Sequence, residues 1–119
     1  MQKFWKPYKR LFIEYISKEN STFIYIQKVK LNPNNIKLSD DFTAKTAIER
    51  SKQMIKKGSQ ILSSFDPIKI KIDKLGYAQI IDGNARLLTY KHFNKTIDRF
   101  FIYKKESDKE GIEIFLNSL

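Results

Sequence analysis

Apolar and polar positions alternate along the first half of the chain with two different periods. From Tyr8, the apolar residues Leu11, Phe12, Tyr15 and Ile16 recur at helical spacing. Pro7 suits the first turn of that helix, and the polar run KENS, 18–21, ends it. Residues 22–31, TFIYIQKVKL, set Phe23, Tyr25, Gln27 and Val29 against Ile24, Ile26, Lys28 and Lys30, which predicts a strand. Asn32-Pro33-Asn34-Asn35 reads as a turn. Over 43–57, Ala44, Ala47, Ile48, Ser51 and Ile55 share one face of a predicted helix. Lys45, Glu49, Lys52 and Lys56 lie outside. Ser39, Asp40 and Asp41 are candidate caps, and Gly58 suits the position after the last turn.

The second half is more sharply punctuated. Pro67 opens a strand over 68–72, in which Ile68, Ile70 and Ile72 oppose Lys69 and Lys71. Asp73-Lys74-Leu75-Gly76 predicts a hairpin turn, and Tyr77–Ile81 the returning strand. Asp82-Gly83-Asn84 breaks that strand. Residues 84–93, NARLLTYKHF, then predict a helix, and 97–103, IDRFFIY, another strand. Ser107-x-x-Glu110 has the form of a capping box before a last helix with Ile112, Phe115 and Leu119 on one face. The expectation is one α+β domain over 1–119: a basic amphipathic helix in 1–20, a core in 22–103 with a small mixed sheet flanked by helices, and a C-terminal helix in 107–119.

Composition narrows the chemistry. The 119 residues include no cysteine, which excludes disulfide frameworks, thiolate metal sites and cysteine nucleophiles. A single histidine, His92, cannot form a multi-histidine metal site. With 23 Lys+Arg against 13 Asp+Glu, the net charge is +10. Residues 1–30 carry +5 (7 − 2), residues 31–75 carry +4 (9 − 5) and residues 76–119 carry +1 (7 − 6). That field attracts polyanions such as nucleic acid or nucleotides, although a generally lysine-rich composition gives the same excess. No apolar stretch approaches the ~20 residues that span a bilayer, so no membrane partner is expected. No signal-peptide pattern follows the basic start, and a cytoplasmic location is the expectation.

The segment QIIDGNARLLTYKHF, 79–93, concentrates the candidate chemistry. A strand runs into Asp82-Gly83-Asn84 and a helix begins at once. Gly83 permits a tight turn and Asn84 can cap the helix, leaving the N–H groups of residues 84–87 at the positive end of the helix dipole. Gly83, Asn84, Ala85 and Arg86 are therefore candidate phosphate-binding residues, Arg86 by forking onto phosphate oxygens. Asp82 is a candidate catalytic base, metal ligand or ribose partner. The plainer alternative is a common Asp-Gly-Asn turn in which Arg86 pairs with Asp82. There is no Walker motif and no G-x-G-x-x-G.

Several of these features, in order, resemble the ParB/sulfiredoxin-like fold family over about residues 23–103. They are the strand ending VKLNPNNI, the helix closing at Gly58, FDPIKIKI where members carry a Q-P-I-x-V strand, the hairpin into YAQIIDGNARLLTY, and the strand DRFFIY. D-G-x-x-R before an apolar helix is the most specific of them. The resemblance implies nucleotide phosphates held by the G-x-x-R turn, here Gly83 and Arg86, and an acid matching Asp82 as in the serine-kinase-like branch. It implies a nucleotide (ATP, ADP or CTP) with Mg²⁺ as cofactors. The departures are equally specific. Asn84 stands where sulfiredoxins have their catalytic cysteine and the serine kinases a histidine, and Asn84-Ala85 stands where ParB proteins have Glu-Arg. Asn34 and Asn35 stand where the kinases carry an acid, and no Glu-Asn-x-x-Arg or helix-turn-helix pattern follows.

The remaining candidates have ordinary structural alternatives. Lys52, Lys56, Lys57, Lys69 and Lys71 can track a nucleic-acid backbone or simply solvate a helix and a sheet. Asp40 and Asp41 can bind metal or cap a helix, and His92 suits a helix surface. Trp5, Tyr8 and Phe12, among Lys3, Lys6, Lys9 and Arg10, can stack bases or dock on a core. Two functions follow from the sequence. The first is a nucleotide- or phosphate-binding domain acting as a Mg²⁺-dependent phosphotransferase, NTPase or nuclease. The second is a non-catalytic basic module that binds DNA or assists a partner.

Overall fold

Six strands form one mixed sheet in a computed structural model that describes residues 16–39 and 44–119. The strands are β1 (Ile16–Glu19), β2 (Phe23–Leu31), β3 (Ile36–Lys37), β4 (Ile68–Ile72), β5 (Ala78–Asp82) and β6 (Ile97–Tyr103), ordered β1-β2-β6-β4-β5-β3. β6 pairs parallel with β4 and antiparallel with β2, while β5 pairs antiparallel with β4 and parallel with β3. Among the described residues, three α-helices accompany the sheet: α1 (Ala44–Lys56), α2 (Asn84–Phe93) and α3 (Lys109–Asn117). The α+β class and the small mixed sheet are as expected. No helix among the described residues is long and apolar enough to cross a membrane.

The core is built mainly from isoleucine. Ile24, Ile26, Ile68, Ile70, Ile72, Ile80 and Ile102 point to one face of the sheet and are essentially inaccessible. Each such burial contributes about 1.5–3 kcal/mol. Leu87 and Tyr90 of α2 and Ile112, Phe115 and Leu116 of α3 join the same cluster, with Phe100 and Phe115 in edge contact at 6.0 Å.

Several local expectations change. The helix predicted from Tyr8 lies outside the described residues up to position 15, and Ile16–Glu19 is strand rather than helix, paired with β2. Its apolar spacing did not register that cross-strand partner. In β2 the buried set switches phase: Ile24 and Ile26 are buried, then Val29 and Leu31, so Val29 faces inward rather than with Phe23. The register with β6 shifts between Gln27 and Leu31, and Lys28 sits there at φ 65. An irregularity of this kind turns the following residues to the other face. On α1, Ala47 and Ser51 are buried and Met54 packs on the core, whereas Ile48 is 41% exposed. The buried stripe is therefore rotated from the one the apolar residues suggested.

The α3 start also differs. Ser107 is not the cap. Its hydroxyl donates to the Tyr103 carbonyl and accepts from the Ile72 N–H. Asp108 caps instead, accepting from the Gly111 N–H at 2.9 Å. Gly111 is needed for close approach. A Cβ there would lie 1.8 Å from the Asp73 carbonyl oxygen in the 73–76 hairpin. Asp73 itself closes that hairpin by accepting from the Leu75 and Tyr77 amides.

Candidate functional site

The chain leaves β5 at Asp82 and enters α2 at Asn84, with Gly83 between them at φ 118, ψ 30. That left-handed conformation suits glycine, and a Cβ would also come within 3.0 Å of Arg86 Nη2 and of Ile68. Gly83 is thus the residue preceding the helix, and Asn84 is the first helical residue rather than the cap. The Asn84 Oδ1 accepts from the Ser39 N–H at 3.2 Å, tying the loop after β3 to the helix start. The Gln79 side chain donates to the Leu38 carbonyl from the adjoining strand. No side chain caps α2, and the first bond into the helix runs from the Leu87 N–H to the Gly83 carbonyl at 2.8 Å. The amides of Asn84, Ala85 and Arg86 therefore have no helical acceptor and lie at the positive end of the dipole. At its other end α2 stops at Asn94, also left-handed, with φ 53.

Those amides border a cleft of about 290 Å³ between α1 and the turn, lined by Thr46, Ala47, Arg50 and Met54 on one side and Ile81–Arg86 on the other. Arg50 is exposed and has no carboxylate partner among the described residues. Sequence reasoning did not single it out. Thr46, Arg50 and Met54 follow one another around α1 at intervals of four residues, so they share a face. That this face meets α2 depends on a helix–helix contact that no local pattern reveals.

Arg86 is placed differently from a free phosphate ligand. Its Nη1 donates to the Asp66 carbonyl at 2.6 Å and the Pro67 carbonyl at 3.3 Å, and its Nη2 lies 3.4 Å from Asp82 Oδ2. Its side chain is 17% exposed. The guanidinium thus clamps the segment entering β4 to the turn leaving β5. Asp82 is 59% exposed and also lies 3.8 Å from Lys69 Nζ. The structure therefore brings Asp82, Gly83, Asn84, Ala85, Arg86 and Lys69 together.

Lys52, Lys56 and Lys57 are not part of this group. All three are exposed, and none of them lines the cleft. Lys71 is on the sheet, two residues beyond Lys69. His92 is exposed in the last turn of α2, its ring in edge contact with Phe93. Asp40 and Asp41, with Trp5, Tyr8 and Phe12, lie outside the described residues.

No family model, curated protein or solved structure matches the chain.

The cleft fits an anion better than a metal. Uncapped amides with Arg50 opposite offer donors and positive charge. Asp82 is a single carboxylate already flanked by two cations, and among the described residues no group of three or more His, Asp or Glu side chains could hold a metal. A magnesium ion would fit here only with phosphate oxygens supplying most of its ligands. A larger depression, about 1170 Å³, lies elsewhere, along β3 between Leu31, Asn34, Asn35, Tyr77 and Lys91. Lys91 reaches the Ile36 carbonyl there, and the N-termini of α2 and α3 are not among its lining residues. Behind α2 a third cleft contains Tyr90, whose hydroxyl burial, and next the Asp98 charge, push above the usual tyrosine value of 10.0.

Proposed function

We propose that this chain is a ParB/sulfiredoxin-like domain that binds the phosphates of a nucleotide in the cleft between α1 and the start of α2. The observation that carries this reading is the uncapped first turn of α2 opening into a cleft whose opposite wall carries Arg50. Phosphate oxygens would accept from the Asn84 and Ala85 amides, with Arg50 closing over them. Arg86 acts one step back, holding the turn in shape through the Asp66 and Pro67 carbonyls. The strand–D-G-N-A-R–helix order supports the family reading by analogy of fold.

Phosphoryl transfer or phosphodiester hydrolysis is the chemistry such a site would support, with Asp82 as the carboxylate at its rim. Asp82 pairs with Arg86 and Lys69, and binding by the amides does not require its carboxylate to be free.

The test is a thermal-shift screen of ATP, ADP, CTP and GTP, with and without Mg²⁺, on the wild type and on Arg50→Ala. Ligand at tenfold over its dissociation constant should stabilise the wild type by about 1.4 kcal/mol. Arg50→Ala should lose most of that shift at the same concentration. No shift with any nucleotide, alongside salt-sensitive binding of duplex DNA, would support the basic accessory module instead. Turnover, if found, should vanish in Asp82→Ala while the melting curve stays near that of the wild type.

A further inference from the structure

The sheet face turned away from the core carries aromatic rings where a solvent-facing sheet ordinarily carries polar residues. Phe23 and Tyr25 of β2 stand opposite Tyr103 and Phe101 of β6. The Phe23 and Phe101 rings meet edge-on at 4.8 Å, and Tyr25 and Phe101 lie 4.8 Å apart at 32°. None of the four belongs to the buried core cluster, and each is partly exposed. Cations flank them on both sides. Lys18 of β1 is in register with Tyr25, and Lys69 of β4 is in register with Phe101. Lys71 follows two residues further along β4, on the same face.

We propose that this face binds single-stranded DNA, with bases stacking on the β2 and β6 rings and the backbone running along the lysines. The charge is complementary, since lysines border the rings on both flanks within a chain of net charge +10. The spacing also fits. Rings two residues apart on one strand are separated by about 6–7 Å, within the step between successive nucleotides of an extended strand. A duplex hides its base faces, so stacking of this kind selects single strands. Deoxyribose lays fewer polar groups over apolar rings than ribose does, which favours DNA over RNA. Apart from Lys69, which also lies 3.8 Å from Asp82, this surface is distinct from the α2 cleft, and the inference does not rest on nucleotide binding there.

The test is fluorescence anisotropy with a short oligothymidylate, its oligouridylate counterpart and a duplex of the same length, using the full chain. The oligothymidylate should bind most tightly. Phe101→Leu keeps the apolar bulk without the ring and should weaken binding about 5- to 100-fold. Lys71→Gln, which leaves the rings in place, should lower the slope of log affinity against log salt by about 0.7. Circular dichroism melts of both variants establish that they fold. No binding of oligothymidylate, equal binding of the duplex, or unchanged affinity in a folded Phe101→Leu would overturn the proposal. Tighter binding of oligouridylate would overturn the assignment to DNA.

Discussion

Replacing Arg86 and Arg50 separately distinguishes the residue that shapes the turn from the residue proposed to meet a ligand. Arg86 makes two hydrogen bonds to carbonyls and one ion pair, with its side chain 17% exposed. Hydrogen bonds from a charged donor contribute about 1.5–3 kcal/mol each. The ion pair adds at most about 1 kcal/mol, because Asp82 is 59% exposed. Asp66 is exposed, so its carbonyl regains water once the guanidinium is gone, and the net loss in Arg86→Ala should be about 2–4 kcal/mol. For a chain of this length that corresponds to a melting temperature lower by roughly 6–15 °C. Arg50→Ala removes an exposed side chain with no carboxylate partner among the described residues, and should change stability by less than about 0.5 kcal/mol. Circular dichroism melts measure both losses, and calorimetric titration with ADP measures affinity in each variant. Arg86→Lys keeps the charge but cannot span two carbonyls and a carboxylate, so it should recover less than half of the lost stability. An Arg86→Ala protein that melts like the wild type yet no longer binds ADP would refute the reasoning. The guanidinium would then be acting on the ligand rather than on the turn.

Three further outcomes follow from the same geometry. Gly111→Ala gains up to about 1 kcal/mol of helix propensity, but its Cβ would collide with the Asp73 carbonyl. Urea unfolding should show a net loss of about 2–4 kcal/mol, and a stabilised variant would mean that α3 does not rest on the hairpin. Lys28→Gly relieves a left-handed residue at the β2 irregularity, and should leave stability unchanged or raise it by up to about 1 kcal/mol; an ordinary strand glycine would lower it. The Tyr90 hydroxyl is raised above 10.0, so the unfolded chain releases that proton first as pH rises. The stability this group contributes is complete below pH 10 and declines above it, and the difference between the wild type and Tyr90→Phe in denaturant melts should change only in that alkaline range.

The elements that sequence alone located best are those whose signals are local. Ile68, Ile70 and Ile72 against Lys69 and Lys71 mark β4, and α2 spans the residues its periodicity predicted because glycine and asparagine punctuate both ends. What was lost depends on pairing and packing partners rather than on local spacing. Ile16–Glu19 is extended because β2 pairs with it, whereas the local apolar spacing favours helix. Ser107 and Asp108 are equally good caps by type, and the choice falls to Asp108 because Ile72 and Tyr103 occupy the Ser107 hydroxyl. The turn at 82–86 was legible as a candidate site, as was the pairing of Arg86 with Asp82 as its plainer alternative. The placement of Arg50 was not, since its position against the turn is created by the packing of α1 on α2.

The central claim is that an anion is held by the backbone at the start of α2. Amide chemical-shift mapping by nuclear magnetic resonance during titration with ADP reads that backbone directly. The account predicts saturable movement of the Asn84, Ala85 and Arg86 amide signals, weakened in Arg50→Ala. Signals at those three positions that stay fixed while residues along β3 or on the aromatic sheet face respond would contradict it.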